Sequence, residues 1–274
     1  MPNDHADIAA FGELLGAHAW PGFLVLLVAV AVVAGVAAWT FEHMRHRQVA
    51  SGEPQPRRLF AGLALGLALV LLLAWGFAEV AEELGQGRPM GVFDDAMSSA
   101  VGAHTPAGVR AVFAQLTHLA DPWFGAPLSV VVALWLWLRG HRGFAAGWVA
   151  ATGGIALLNH VLKDIFERAR PVHEAGFVQV SGYSFPSGHS SGSMVMYGML
   201  GYLGFRLLAP GWRVPTVVAA SVIVVTVACS RIFLRAHFPS DVIAGLCSGG
   251  AWLAVCIASL EFARHRRGNR QART

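Results

Sequence analysis

Residues 59–78 read LFAGLALGLALVLLLAWGFA, an uncharged apolar run. Its length matches the roughly 20 residues that an α-helix needs to cross the hydrocarbon core of a bilayer. In a bilayer, helices satisfy their own backbone polar groups, so apolar runs of this length predict spanning helices. Comparable runs occur near residues 22–41, 122–138, 143–162, 190–208, 214–230 and 241–260. The sequence therefore predicts an all-α, polytopic membrane bundle of about seven transmembrane helices.

The composition supports a membrane protein over a soluble one. The chain has 274 residues, of which 55% are hydrophobic and only 13% charged, whereas a soluble domain of this size needs a more charged surface. The net charge of +4 does not indicate nucleic acid as a partner, because the arginines stand at the edges of apolar runs, as membrane-flanking charges do. Cys229, Cys247 and Cys256 lie within these runs at no metal-like spacing, so disulfides are not expected.

The basic residues predict the orientation of the bundle. The first twenty residues lack the basic cluster of a cleaved signal peptide, so the first helix is expected to be retained. If the N-terminus lies outside, thirteen of the twenty basic residues fall on the cytoplasmic side. Most of the others lie near the outer ends of predicted spans: Lys163, Arg168, Arg170, Arg231 and Arg235. Charges kept at membrane depth on the unfavoured side indicate a functional site.

Three polar clusters interrupt the apolar pattern, and the predicted topology puts all three on the outer side. They occupy residues 163–171, 183–190 and 230–241, each beside the end of a predicted span. In the first cluster Lys163 and Arg170 are seven residues apart, which would place both on one face of a helix that ends at Pro171. Asn159, in the span before this cluster, is expected to hydrogen-bond a neighbouring helix.

The cations and the predicted helix start suit a phosphate group. Lys163, Arg170 and Arg231 would balance the roughly two negative charges that a phosphate spreads over its oxygens. Ser187 and Gly188 stand where the fifth span should begin, and the N–H groups of a helix N-terminus bind anions. Glycine permits backbone geometries that other residues resist and lets the chain approach a ligand closely.

Two histidines complete a set of groups for phosphoryl transfer. His237 precedes Asp241 by four residues, and a carboxylate on one ring nitrogen fixes the tautomer and raises the basicity of the other. That far nitrogen is a candidate nucleophile, which would form a phosphohistidine, and His189 is a candidate acid for the leaving oxygen. Protein cations supply the charge that magnesium usually carries, and the clusters lack paired carboxylates, so no metal or other cofactor is expected.

Taken together, the three segments resemble the three signature motifs of the type 2 phosphatidic acid phosphatases. That superfamily also includes vanadium haloperoxidases and bacterial acid phosphatases. The motifs occur in order with the family spacing, and the resemblance covers about residues 59–260. It implies that His237 is the nucleophile, His189 the acid and Asp241 the residue that orients the nucleophile. It also implies a set of phosphate ligands, which are Lys163, Arg170, Ser187, Gly188 and Arg231. Arg168 and Arg235 are interpreted as headgroup or structural contacts.

The resemblance also implies the domain organisation and location. The family core has six spans with both termini in the cytoplasm, so residues 59–260 would be the phosphatase core. Residues 1–58 would then add one N-terminal transmembrane helix, and residues 261–274 would be a basic cytoplasmic tail. The helices expected between the second and third spans, in residues 79–121, would lie at the membrane interface. We expect a multi-pass protein of a bacterial inner membrane with its site facing the periplasm.

The predicted function is a metal-independent membrane phosphatase that acts on a lipid phosphate or diphosphate. Phosphatidic acid, phosphatidylglycerol phosphate, undecaprenyl diphosphate and lipid A phosphates all present suitable groups, and the outward site favours undecaprenyl diphosphate or a related lipid phosphate. Membrane lipids are the expected surroundings, and no obligate protein partner is evident. Two alternatives stay open, which are a non-catalytic protein that binds or transports lipid headgroups and a vanadate-dependent haloperoxidase.

Overall fold

The computed structural model describes residues 2–50, 55–85, 87–171 and 182–271, and in these ranges all regular structure is helical. The α-helices are α1 (Pro2–Ala17), α2 (Ala19–Ala50), α3 (Gln55–Glu82), α4 (Pro89–His104), α5 (Ala107–Leu116), α6 (Pro122–Leu138), α7 (Arg142–Phe166), α8 (Gly188–Leu207), α9 (Pro210–Phe233) and α10 (Pro239–Gln271). A short 3-10 turn, Thr117–Ala120, joins α5 to α6. The predicted all-α class is confirmed.

A helix stands at each of the seven predicted spans, but the spans are not equally apolar. By length and composition α2, α3, α7, α9 and α10 are long and apolar enough to cross a membrane. The sixth helix, α6, passes this criterion only together with α5 and the 3-10 turn, to which it is joined at a bend of 41°. Of the helices at the predicted spans, α8 fails the criterion even in combination, since serines and glycines replace apolar residues along it. Hydropathy alone therefore supports five spans, or six with the bent pair.

The polar character of α8 follows from its central position. It packs against α7, α9 and α10, and Val195 and Met199 are fully buried in the main apolar core. Its glycines permit close packing, because a Cβ added at Gly198 would stand 2.4 Å from a Leu253 methyl group. Ser191 Oγ donates to Asn159 Oδ1 of α7 at 2.8 Å, which confirms the expected interhelical bond of Asn159. A helix enclosed by other helices does not need a lipid-compatible surface.

Outside the core, α1 lies along α4. Added Cβ atoms at Gly12 and Gly16 would stand 2.9 Å and 2.6 Å from backbone oxygens of α4, so only glycine permits this approach. The helical state predicted for residues 79–121 is confirmed for α4 and α5. However, α5 packs against α9 and joins α6 in the bent pair, so it belongs to the bundle as much as to its surface.

The end of α7 differs from the prediction. The helix stops at Phe166, Glu167 adopts a left-handed conformation with φ of 45°, and Arg168 to Pro171 are not helical. The expectation that Lys163 and Arg170 share a helical face, with Pro171 ending the helix, is therefore wrong. Arg170 precedes Pro171, and the helical conformation is disfavoured for a residue before proline. Ser184 also holds the non-helical segment, because its N–H and hydroxyl donate to the carbonyls of Arg168 and Ala169 at 2.8 Å and 2.9 Å.

Candidate active site

The three polar clusters meet at one end of the bundle, where α7 ends, α8 begins and α9 turns into α10. Two backbone hydrogen bonds connect them. Ser184 N–H donates to the Arg168 carbonyl at 2.8 Å and joins the first cluster to the second. Ser187 N–H donates to the Asp241 carbonyl at 2.9 Å and joins the second to the third. The first bond joins residues 16 apart in sequence and the second joins residues 54 apart, so all three clusters form one surface.

His237 is buried in the turn between α9 and α10, with a different partner at each ring nitrogen. Arg170 Nη1 donates to Nε2 at 3.1 Å, so Nε2 is the nitrogen without a proton. The protonated Nδ1 lies 3.4 Å from Asp241 Oδ2, a long contact for a hydrogen bond. Burial lowers the pKa of His237 from 6.5 to about 3, and the charges of Arg231 and Arg170 act in the same direction. His237 is therefore neutral at pH 7, with a lone pair on Nε2.

Asp241 is held in place by residues other than His237. Its Oδ2 accepts from the Phe238 N–H at 3.0 Å, and its Oδ1 accepts from Arg168 Nη1 at 2.6 Å. Arg168 Nη2 donates at 2.7 Å to Oδ2 of Asp94, a fully buried carboxylate of α4 that also binds the Ser240 side chain and backbone N–H. Burial raises the pKa of Asp94, whereas the bonds from Ser240 and Arg168 lower it. Arg168 is thus a structural contact that links α4 to the α9–α10 turn.

Lys163 and Arg170 converge on one carbonyl although they do not share a helix. Lys163 Nζ donates to the Tyr183 carbonyl, and Arg170 Nη2 donates to the same oxygen at 3.1 Å. Arg170 also donates to the carbonyls of Gly182 and Ala236 at 2.9 Å and 2.8 Å. These carbonyls hold Arg170 beside the His237 ring and Lys163 near Arg170, without neutralising the charge of either.

Arg231, near the end of α9, is buried with part of its guanidinium unsatisfied. Its side chain is about 1% exposed. Nη1 donates to Thr117 Oγ1 at 2.8 Å, whereas Nε and Nη2 are buried without a hydrogen-bond partner. Buried polar groups almost always have partners, and leaving a charged donor unpaired is costly. These two nitrogens lie on one side of the guanidinium and present parallel N–H groups in the fork geometry that binds phosphate oxygens.

Ser187 and Gly188 stand at the start of α8, as predicted. Ser187 is the N-cap residue, and its Oγ accepts from Ser190 N–H at 3.4 Å. Gly188 is an ordinary helical residue whose φ is not positive, so the prediction that it supplies an unusual backbone geometry is wrong. An added Cβ there would meet only Asn159 Nδ2 at 3.9 Å, an ordinary contact.

His189 has a carboxylate partner that the sequence analysis missed. Its Nε2 lies 2.7 Å from Asp121 Oδ1, and Asp121 stands between the 3-10 turn and α6. Asp94 and Thr117, the partners of Arg168 and Arg231, were missed as well. All three lie in the region treated only as interfacial helices. The sequence does contain a signal for Thr117 and Asp121, because the polar residues of the stretch 117–121 directly precede the apolar run at 122–138.

Metal ligands and cavities are two further signs of a ligand site. The described residues include no group of three His, Cys, Asp or Glu side chains arranged to hold a metal ion. A cavity of about 560 Å³ lies at the opposite end of the bundle, between the start of α7 and the second half of α10, and it is lined by residues such as Arg142, Trp252 and Arg264. No candidate catalytic residue lines this cavity, so we place the chemistry at the polar clusters.

The fold and these residues define a membrane phosphatase of the PAP2 superfamily, to which this chain belongs. The family model matches residues 142–264, which contain all three motifs. Phosphatidylglycerophosphatase B of Bacillus subtilis is 32% identical over 158 residues, 57% of this chain and 77% of the relative. The crystal structure of a transmembrane PAP2-type phosphatidylglycerolphosphate phosphatase from B. subtilis superimposes with a TM-score of 0.62 and 28% identity, covering 70% of this chain and 93% of that one.

Lipid A 1-phosphatases are also similar over a shorter stretch. Those of Rhizobium johnstonii and Rhizobium etli are each 38% identical to the chain. The matches cover 39% and 37% of this chain, and 43% and 44% of the relatives. The class of enzyme is common to all these relatives. The chain is a multi-pass membrane protein and a lipid phosphatase.

Proposed function

We propose that the chain hydrolyses a lipid phosphate monoester through a phosphohistidine formed on His237. The observation that carries this proposal is the pairing of an unprotonated His237 Nε2 with unsatisfied N–H groups of Arg231 in the same buried site. A nucleophile and an unpaired anion receptor side by side match what phosphoryl transfer requires. A protein that only bound headgroups would not need a neutral histidine backed by a carboxylate.

In the proposed mechanism His237 Nε2 attacks phosphorus while the bond to the lipid oxygen breaks. Lys163, Arg170 and Arg231, with the N-terminus of α8, stabilise the charge on the equatorial oxygens. His189 gives its proton to the departing oxygen, which leaves as an alcohol. A water molecule then gives a proton to His189 and attacks the phosphohistidine, which releases inorganic phosphate and restores neutral His237. Asp241 stabilises the positive charge that develops on the His237 ring.

The relatives support a monoester as substrate. The B. subtilis relative and the B. subtilis crystal structure are both named for phosphatidylglycerol phosphate, and the two Rhizobium relatives are named for the 1-phosphate of lipid A. We therefore place phosphatidylglycerol phosphate first and lipid A phosphates second. Undecaprenyl diphosphate, which the sequence analysis favoured, has no counterpart among these names. It stays a substrate to be tested along with phosphatidic acid.

The substrate assignment is tested by phosphate release from a lipid panel. The purified protein in detergent with EDTA should release phosphate from phosphatidylglycerol phosphate at a higher kcat/KM than from phosphatidic acid, undecaprenyl diphosphate or lipid A. Highest activity on another lipid would reassign the substrate and keep the enzyme class. Loss of all activity in EDTA would contradict the metal-independent mechanism. Halide oxidation on addition of vanadate, in place of inhibition, would favour a haloperoxidase.

The membrane location and topology are part of the same proposal. We propose a bacterial inner membrane protein with residues 1–58 as an added N-terminal segment, a core at residues 59–260 and a cytoplasmic tail at residues 261–274. The support is the distribution of arginines, which puts the polar clusters on the outer side. A reporter fused after Thr274 should be active only in the cytoplasm, and one before the N-terminus only outside. The reverse result would move the site to the cytoplasmic face.

A further inference from the structure

His189 and Asp121 form a second histidine–carboxylate pair within the candidate site. Nε2 of His189 lies 2.7 Å from Asp121 Oδ1, which is shorter than the 3.4 Å contact between His237 and Asp241. Both side chains are largely buried, with 18% and 19% of their surfaces exposed. A close pair that is partly shielded from water interacts more strongly than a fully exposed pair.

Other side chains hold the Asp121 carboxylate in place for this contact. Its Oδ2 accepts from His118 Nδ1 at 2.6 Å and from Trp123 Nε1 at 2.8 Å, which leaves Oδ1 to His189. Asp121 is the N-cap residue of α6, a position where aspartate often binds the first helical N–H groups. Its side chain makes no such bond here. The carboxylate therefore binds three side chains and does not cap the helix.

The 3-10 turn before Asp121 is itself fixed to the site from two sides. The Tyr197 hydroxyl, on the same helix as His189, donates to the Leu119 carbonyl at 2.7 Å. Arg231 Nη1 donates to Thr117 Oγ1 at 2.8 Å. The turn thus sets the position of Asp121 relative to both the imidazole of His189 and the guanidinium of Arg231.

We propose that Asp121 is a positioning residue for His189, holding it as the acid that protonates the leaving oxygen. This inference rests on the proposed function of the site. When His189 is protonated, its Nε2–H is donated to Asp121 and the transferable proton stands on Nδ1. This proton moves to the lipid oxygen as the bond between that oxygen and phosphorus breaks, which leaves a neutral ring. Burial and the charges of Arg231 and Arg170 disfavour a positive charge on this ring, whereas the hydrogen bond and the negative charge of Asp121 favour it. Asp121 itself stays ionised throughout.

The test compares leaving groups that differ in their need for a proton. In the variant Asp121→Asn, kcat/KM for a lipid phosphate and for hexyl phosphate should fall about 10²-fold, within the range that general acid catalysis supplies. For p-nitrophenyl phosphate the value should change less than about threefold, because the phenolate leaves without protonation. A loss of equal size on all three esters would overturn the inference, since it would show general damage to the site.

Two further variants separate a positioning role from a structural one. In a His189→Ala background, Asp121→Asn should add almost no loss, because residues that act as a unit are not additive. Additive losses would contradict the proposal. Asp95→Asn, which removes an exposed carboxylate of α4, is the matched control and should keep wild-type kcat/KM. If the wild-type protein hydrolyses hexyl phosphate but no lipid, the proposed lipid substrate is wrong. The comparison of hexyl phosphate with p-nitrophenyl phosphate would still decide the role of Asp121.

Discussion

The variant His237→Ala should lose at least about 10⁴-fold in phosphate release from any lipid phosphate, because removal of a covalent nucleophile disables the whole mechanism. The alanine also removes the acceptor of Arg170 Nη1, but Arg170 keeps its bonds to the carbonyls of Gly182, Ala236 and Tyr183. The phosphate ligands should therefore stay in place. We expect the variant to fold and to keep stabilisation by orthovanadate, measured as the shift of its thermal unfolding midpoint.

The matched control for this experiment is His160→Ala. His160 is an exposed residue of α7, 3.5 Å from Asp164, and has no contact with the candidate site. Its removal should leave kcat/KM unchanged. A rapid burst of alcohol release before steady-state phosphate release in wild type, absent in His237→Ala, would support the covalent step directly. Substantial turnover by His237→Ala would rule out the phosphohistidine.

The second large effect is expected at Arg231, where activity and stability should change in opposite directions. The variant Arg231→Met should lose about 10³-fold or more in kcat/KM, the size of effect that an arginine on a transferring phosphoryl group supplies. The same variant should unfold at a higher temperature in the absence of ligand. The reason is that the buried Nε and Nη2 atoms of Arg231 lack hydrogen-bond partners. Replacing the guanidinium with a flexible apolar side chain removes the desolvation cost of these atoms.

Ligand addition makes the Arg231 experiment specific. Orthovanadate should raise the unfolding temperature of wild type, because binding to the native state alone stabilises it, and should have little effect on Arg231→Met. Arg231→Lys keeps the charge but lacks the planar fork, so it should bind orthovanadate more weakly than wild type. A fall in the ligand-free unfolding temperature of Arg231→Met would show that the guanidinium stabilises the empty protein. That result would contradict its interpretation as an unpaired phosphate ligand.

The predictions that came from the sequence were most accurate where short-range physics decides the outcome. Apolar runs of spanning length predicted the helices, and the motif spacing predicted which side chains would meet at one end. His237, for instance, lies two residues before α10 and Asp241 lies in its first turn, so their proximity follows from local geometry. The run at residues 190–208 was predicted as a span, but α8 is too rich in serine and glycine to pass the hydropathy criterion. Only its position between α7, α9 and α10 explains that composition.

The errors and omissions concern contacts between distant segments. Lys163 and Arg170 meet through the Tyr183 carbonyl and not along a helix, because the chain leaves the helical path at Glu167. Asp94 carries no motif, and its role depends on α4 packing near a turn that lies about 146 residues further along the chain.

The sequence by itself determined the class of protein, the helices and the residues of the three motifs, because apolar length and local spacing are properties of single segments. The tertiary structure decided which groups assist those residues. Asp94, Thr117 and Asp121 became partners of Arg168, Arg231 and His189 only when α4 and the 3-10 turn packed against the ends of α7, α8 and α9. Burial also decided the charge state of His237 and left Arg231 with two free donors. No local pattern contains these properties, since they depend on which surfaces exclude water together.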